Sequence, residues 1–225
     1  VGRRRVRDLI DFIENREIDL VIDVGANVGQ FGESLRTNGY KGKIVSFEPI
    51  EAAFKILSQK AAKDRNWEVH HCGLGATKGE AAIHVSELTV FSSILDLTKI
   101  ASLHDKRIAV QRTEMIKIEA LDDVTASLQG KILLKIDTQG YEKQVIEGGR
   151  QLITRVKGIL MELPVIHVYE GEWQFHEAAK FMADAGFVPA QIQPVNFHGL
   201  DNVSLVDVDC LFRPLGEADG LPGAR

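Results

Sequence analysis

Cysteine is scarce in this sequence. Among 225 residues only Cys72 and Cys210 carry a thiol. Two thiols cannot frame a disulfide scaffold or supply a four-thiolate zinc site. Both sit among apolar neighbours, which reads as buried free thiols in a reducing compartment, the cytoplasm. Long hydrophobic runs are missing too, and none approaches the ~20 residues of a membrane span. A basic excess is also lacking: 27 Lys and Arg face 32 Asp and Glu, a formal net charge of −5. Such a chain has no overall field to attract nucleic acid or an anionic membrane. There is no internal repeat and no linker that would divide domains. What remains is 44% hydrophobic and 26% charged, enough apolar side chain for one substantial core. The expectation is one domain over residues 1–213, with the Gly- and Pro-rich residues 214–225 as a flexible tail.

Four short apolar runs each end on an acidic residue: Asp23, Glu48, Asp137 and Glu162. Continuous rather than alternating apolar runs indicate strands covered on both faces, as in a parallel sheet. Between them lie segments with helical spacing, over 29–38, 51–64, 141–153 and 173–185. Val6, Leu9, Ile10 and Ile13 predict a further amphipathic helix over 4–16. Strands alternating with helices predict an α/β, doubly wound, mostly parallel sheet. Near the end this rhythm breaks. Phe187–Ile192 and Leu205–Phe212 read as strands with no crossover helix between them, so they are expected as an antiparallel hairpin. Glu80–Val85 and Arg112–Ile118 also read as strands, inside a stretch at 79–118 that looks like an insertion with a mobile lid.

In a doubly wound sheet, ligands sit beyond the carboxyl ends of the strands. The first run leads into Asp23-Val24-Gly25-Ala26-Asn27-Val28-Gly29, a tight loop that opens a helix. A dinucleotide loop needs G-x-G-x-x-G so that a pyrophosphate can rest on the helix end. Here the spacing is Gly25-x-x-x-Gly29, and Asp23 would repel a pyrophosphate. A carboxylate at that place suits an ammonium group. Glu48, at the end of the second strand, suits the two hydroxyls of a ribose. A nucleoside joined to a cationic amino acid describes S-adenosylmethionine. Cys72-Gly73-Leu74-Gly75, read as the turn after the third strand, is expected beside the adenine.

Val21–Gly29 together with Phe47-Glu48-Pro49 resembles the FkbM family of S-adenosylmethionine-dependent methyltransferases. Leu134-Lys135-Ile136-Asp137-Thr138-Gln139-Gly140-Tyr141-Glu142 resembles that family's second signature, an Asp followed by Glu-Gly-x-Glu, with Gln139 in place of the usual Glu. Ser92-Ser93 and Leu121-Asp122-Asp123 fit the pattern between them. The resemblance spans about residues 18–213. It implies a seven-stranded, Rossmann-like methyltransferase sheet with an antiparallel final hairpin. It also implies methyl transfer to oxygen, on a sugar, glycan or secondary metabolite.

An acceptor hydroxyl must lose its proton as it takes a methyl group, and a carboxylate or imidazole can receive it. Asp137 is the candidate base, with Gln139 hydrogen-bonding to substrate and Glu142 orienting the loop. As a helix N-cap, Asp137 would instead be structural. His167 is the alternative base. Ser92, Ser93, Glu142, Glu162 and His198 are expected on the acceptor side, and Tyr169 and Trp173 would offer flat faces to a sugar ring. His70-His71-Cys72 suggests metal on paper, but neighbours on a strand point to opposite faces, so no metal is expected. Two other readings compete. A non-catalytic cofactor-binding module would keep the same loop, and Gln139 leaves that open. An NAD-linked oxidoreductase would keep the sheet but needs the third glycine.

Overall fold

A computed structural model describes residues 2–86, 92–98, 110–198, 201 and 203–216, with residues 2–5 described by backbone alone. In chain order the described elements are α1 (Gly2–Asn15), β1 (Leu20–Val24), α2 (Gln30–Thr37), β2 (Lys43–Phe47), α3 (Glu51–Ala61), β3 (Trp67–His70), β4 (Gly73–Gly75), β5 (Gly79–Ser86), β6 (Val110–Ala120), α4 (Leu121–Thr125), β7 (Ile132–Ile136), α5 (Glu142–Glu147), β8 (Val156–Pro164), α6 (Phe175–Asp184), β9 (Phe187–Phe197) and β10 (Leu205–Pro214).

The apolar runs form the centre of a seven-stranded sheet in the order β3-β2-β1-β7-β8-β10-β9. Strands β3, β2, β1, β7 and β8 run parallel; β10 is antiparallel to both β8 and β9. All five residues of β1 and of β7 are buried, because helices cover both faces there. On one side Val21, Leu133 and Leu211 pack against Ile13, Leu35 and Leu57. On the other, Ile22, Leu134 and Phe212 pack against Val145, Met182 and Trp173. Each fully buried side chain of this kind stabilises by about 1.5–3 kcal/mol. Cys72 and Cys210 are both buried free thiols. Burial pushes their thiols up, to about 11 and about 12.

The final hairpin is longer than its apolar pattern, because β9 is an edge strand. Its exposed residues include Pro189 and Pro194, which an edge tolerates since no ladder bond is lost outward.

A second, three-stranded sheet has the order β4-β6-β5. The expected pairing within 79–118 is present, with β5 antiparallel to β6. The connection expected to be a lid lies mostly outside the described residues. Its described part, 92–98, is joined to the rest by bridges from Ser93 to His84 and from Leu97 to Tyr169. Gly73–Gly75 differs from the expected turn: it is a strand, parallel to β6. Three residues with two glycines have no alternation to read. Helix α5 also stops earlier than its pattern. A Cβ on Gly148 would lie 1.9 Å from the Gly75 carbonyl oxygen, so the chain there is committed to a close backbone crossing. Among the described residues no helix is long and apolar enough to cross a membrane.

Candidate active site

A cleft of about 630 Å³ opens at the carboxyl ends of β1, β2, β7 and β8. Its first end is built by the glycine loop. Gly25 has φ 73°, and a Cβ there would lie 1.9 Å from the Asp137 carbonyl oxygen. Only glycine lets the loop after β1 cross so close to the end of β7. The amides of Gly25 and Ala26 both donate to the Phe47 carbonyl at 3.0 Å, tying the loop to β2. Glu48 follows directly. Its Oε2 accepts from the Asn27 amide and its Oε1 from the Ile50 amide, both at 2.8 Å. Burial pushes its carboxyl up to about 7, against the pull of those two amides and of Lys135. Each of its oxygens keeps acceptor capacity for a further donor. Cys72, Gly73 and Leu74 also line the cleft. Gly29 does not; with φ 86° it starts α2 and packs on Leu57 and Trp67.

Asp23 was expected in the cleft and lies beneath it instead. It is fully buried and is not a lining residue. Ser46 Oγ donates to its Oδ2 at 3.2 Å, and Lys135 Nζ stands 3.2 Å from its Oδ1. The ammonium it meets is the chain's own. Lys135 Nζ also donates to the Gly25 carbonyl at 3.1 Å and lies 3.5 Å from Asp137 Oδ2 and 5.6 Å from the Phe31 ring centroid. Burial pulls its basicity down, but the Asp23 and Asp137 carboxylates outweigh burial and leave it above the usual lysine value. Sequence reasoning missed this residue. The signal was a charged side chain inside the apolar run 132–136, whose neighbours are all buried.

The second end gathers the residues after β7. Asp137 Oδ1 accepts from Gln139 Nε2 at 2.9 Å, and the same amide nitrogen lies 3.4 Å from Glu162 Oε1. Asp137, Gln139 and Glu162 all line the cleft. Burial, then the nearby carboxylates led by Asp137, hold the Glu162 carboxyl well above its usual value. Gln139 is fixed from behind. The Tyr169 hydroxyl donates to its Oε1 at 3.2 Å, and Ser93 Oγ donates to its carbonyl at 2.5 Å. Its φ of 54° is a left-handed conformation that these bonds hold in place. Glu142 is buried and accepts from the Thr138 amide, the Thr138 hydroxyl and the Gly140 amide, at 2.9, 3.1 and 3.2 Å. It shapes the loop and does not reach the cleft. The N-cap of α5 is Tyr141, without a side-chain cap bond, so Asp137 is not a helix cap.

Other expected acceptor residues separate. Ser92 lines the cleft, and its Oγ accepts from the Ser86 amide. Tyr169 and Trp173 are only 3% and 6% exposed, and Trp173 packs edge-on against Phe181. They are core aromatics with no face open to a sugar. His167 and His198 do not line the cleft. The His167 carbonyl accepts from Thr98 Oγ1, and the His198 amide donates to the Ser204 carbonyl within the last hairpin. His70 and His71 stack on Phe47 and Phe54. The wall that sequence reasoning missed joins Val6 and Leu9 of α1 to Gln191 and Gln193 of β9 and Asp209 of β10. The signal was two glutamines at strand spacing, on the face that register sets beside Glu162 through Asp209.

Comparison with known proteins follows the same outline. The Methyltransferase FkbM domain matches residues 23–189. "Methyltransferase 1" of Beauveria bassiana (strain ARSEF 2860) is 22% identical over 188 residues, 77% of this chain and 74% of that one. Among solved structures, magnesium protoporphyrin IX methyltransferase from Synechocystis PCC 6803, with bound SAM, superposes with a TM-score of 0.52 at 11% identity, covering 95% of this chain and 79% of that one. An uncharacterized protein from Listeria monocytogenes serotype 4b gives 0.51 at 9% identity, covering 95% and 68%. At such identities the two structures speak for the fold alone.

Proposed function

The chain belongs to the FkbM methyltransferase family, whose cofactor is S-adenosylmethionine, and from that premise we propose that it methylates a hydroxyl oxygen on a sugar, glycan or secondary metabolite. The observation that carries this reading is the placing of Asp137 and Gln139 in the same cleft as Glu48. One end is chemically suited to a nucleoside, the other to moving a proton.

The residues present fit the cofactor. Glu48 would hold the ribose hydroxyls, the loop from Gly25 to Asn27 would lie along the nucleoside, and Cys72, Gly73 and Leu74 would flank the adenine. Bound S-adenosylmethionine supplies a methyl carbon on a sulfonium, open to attack by oxygen. Asp137 would receive the proton that the acceptor hydroxyl gives up as it takes the methyl group. Gln139 holds the Asp137 carboxylate in place through its 2.9 Å bond. Holding acceptor and cofactor together can supply roughly 7–11 kcal/mol of the barrier in favourable cases. Ser92 and the wall from β9 and β10 would meet the acceptor. The two buried thiols suit a cytoplasmic setting, and the absence of a basic excess argues against nucleic acid as acceptor.

The test is S-adenosylhomocysteine release from purified protein, S-adenosylmethionine and a panel of hydroxylated glycans and metabolites. Turnover that yields an O-methyl product, lost in Asp137→Asn, is the expected result. Tight cofactor binding with no turnover on any acceptor would favour a non-catalytic binding module, and methyl found on nitrogen or carbon would overturn the oxygen assignment.

A further inference from the structure

Lys135 is the only charged residue in β7, and its ammonium joins three groups from two strand ends. These are the Asp23 carboxylate, the Gly25 carbonyl and the Asp137 carboxylate, at 3.2, 3.1 and 3.5 Å. Asp23 is fully buried, and hydrogen bonding leaves its Oδ1 unsatisfied apart from this charge contact. A buried ion pair like this is weak evidence for stability, since desolvation offsets much of the attraction. Two carboxylates against one ammonium leave one net negative charge under the cofactor loop.

Resting on the cofactor reading above, we propose that Lys135 is a positioning residue that sets the charge of the cofactor site, and with it the site's preference for the methyl donor over the spent product. The chemistry of the two ligands gives this meaning. S-adenosylmethionine and S-adenosylhomocysteine share the nucleoside and the amino-acid group. They differ in one methyl group and one positive charge. The trio's one net negative charge, besides what Glu48 carries at the ribose end, favours the cation, and the neutral product leaves more easily once transfer is done. With Asp23 and Asp137 alone the charge would be doubled; with Lys135 and one carboxylate it would vanish. Lys135 lines the cleft floor, so its charge acts on the ligand through little protein and little water. The Phe31 ring, 5.6 Å from Nζ and also in the cleft wall, covers its other side.

The experiment measures the dissociation constants of both ligands by calorimetry and takes their ratio. Both ligands use the same contacts, so a general loosening of the site weakens both and leaves the ratio alone. Asp23→Asn removes one negative charge while an oxygen remains for Ser46. It should lower the preference for S-adenosylmethionine by about three- to tenfold. Adding Lys135→Met to Asp23→Asn restores one net negative charge without an unpaired buried ion. The ratio should then return to within about twofold of wild type, the rescue expected of charge balance. Asp137→Asn, on the exposed side of the trio, is the second arm should Asp23→Asn fail to fold. It should lower the ratio in the same direction; Lys135→Met is not added there, because it would leave Asp23 as an unpaired buried carboxylate. A ratio unmoved by either Asn variant, or one left low when Lys135→Met is added to Asp23→Asn, overturns the proposal. If the wild-type protein binds neither ligand, the cofactor reading itself fails, a result distinct from binding with an unmoved ratio.

Discussion

Glu48 and Asp137 sit at two ends of one cleft, and they are held by different kinds of partner. Glu48 is fixed by the backbone amides of Asn27 and Ile50, twenty-one and two residues away along the chain. Asp137 is met by side chains, the Gln139 amide and the Lys135 ammonium, and Gln139 is in turn braced by Ser93 and Tyr169 from distant segments. A backbone-held carboxylate needs only the loop's shape, which glycines determine. A side-chain-held carboxylate needs several particular residues brought together by the whole sheet. The first end can therefore be common to many acceptor chemistries, while the second can vary with the acceptor.

Breaking each end separately should expose that contrast. The largest effect is expected from Asp137→Asn, which removes the proposed proton acceptor. Turnover at saturating cofactor should fall by about 10²–10⁴-fold, measured as product release, with cofactor affinity changed tenfold at most. Next comes Gly25→Ala. Its Cβ would collide with the Asp137 carbonyl, and φ 73° disfavours a side chain. A loss of about 2–4 kcal/mol in chemical denaturation is expected, because this one position joins both ends.

Glu48→Gln should weaken cofactor binding by about tenfold, the equivalent of one strong hydrogen bond. It also has a pH signature. The folded carboxyl lies at about 7 against a usual 4.5. Between those values the folded chain binds more protons than the unfolded chain, so stability falls as pH rises through that window. Glu172, raised by burial to about 7, contributes in the same window. The variant should therefore reduce the slope in denaturation against pH and not abolish it. Cofactor affinity should rise across pH 7 in wild type, as the ionised acceptor forms, and lose that rise in the variant. The smallest effect is expected from Tyr169→Phe, which removes one brace behind Gln139. About 0.5–1.5 kcal/mol of stability should be lost in thermal or chemical unfolding.

The same contrast explains what was legible in the sequence. The parallel strands, the closing hairpin and the loop from Asp23 to Gly29 are local patterns, and the structure holds each of them. Glu48 at a strand end was equally readable. Asp23 was misplaced because pattern puts it at the end of β1 but cannot say that Lys135, 112 residues later, has already met its charge. Tyr169 and Trp173 were read as open faces because aromatics look alike whether they line a cleft or fill a core. The wall from Gln191, Gln193 and Asp209 was invisible for a related reason. It exists only once β10 pairs with both β8 and β9, and that register is a property of the folded sheet.

The central claim, that one cleft separates cofactor holding from proton transfer, is tested most directly by single-turnover rate as a function of S-adenosylmethionine concentration. Glu48→Gln should raise the concentration for half-maximal rate and leave the plateau nearly intact. Asp137→Asn should collapse the plateau and move the half-maximal concentration far less. If both substitutions changed the same parameter to the same extent, the two-ended account would be contradicted.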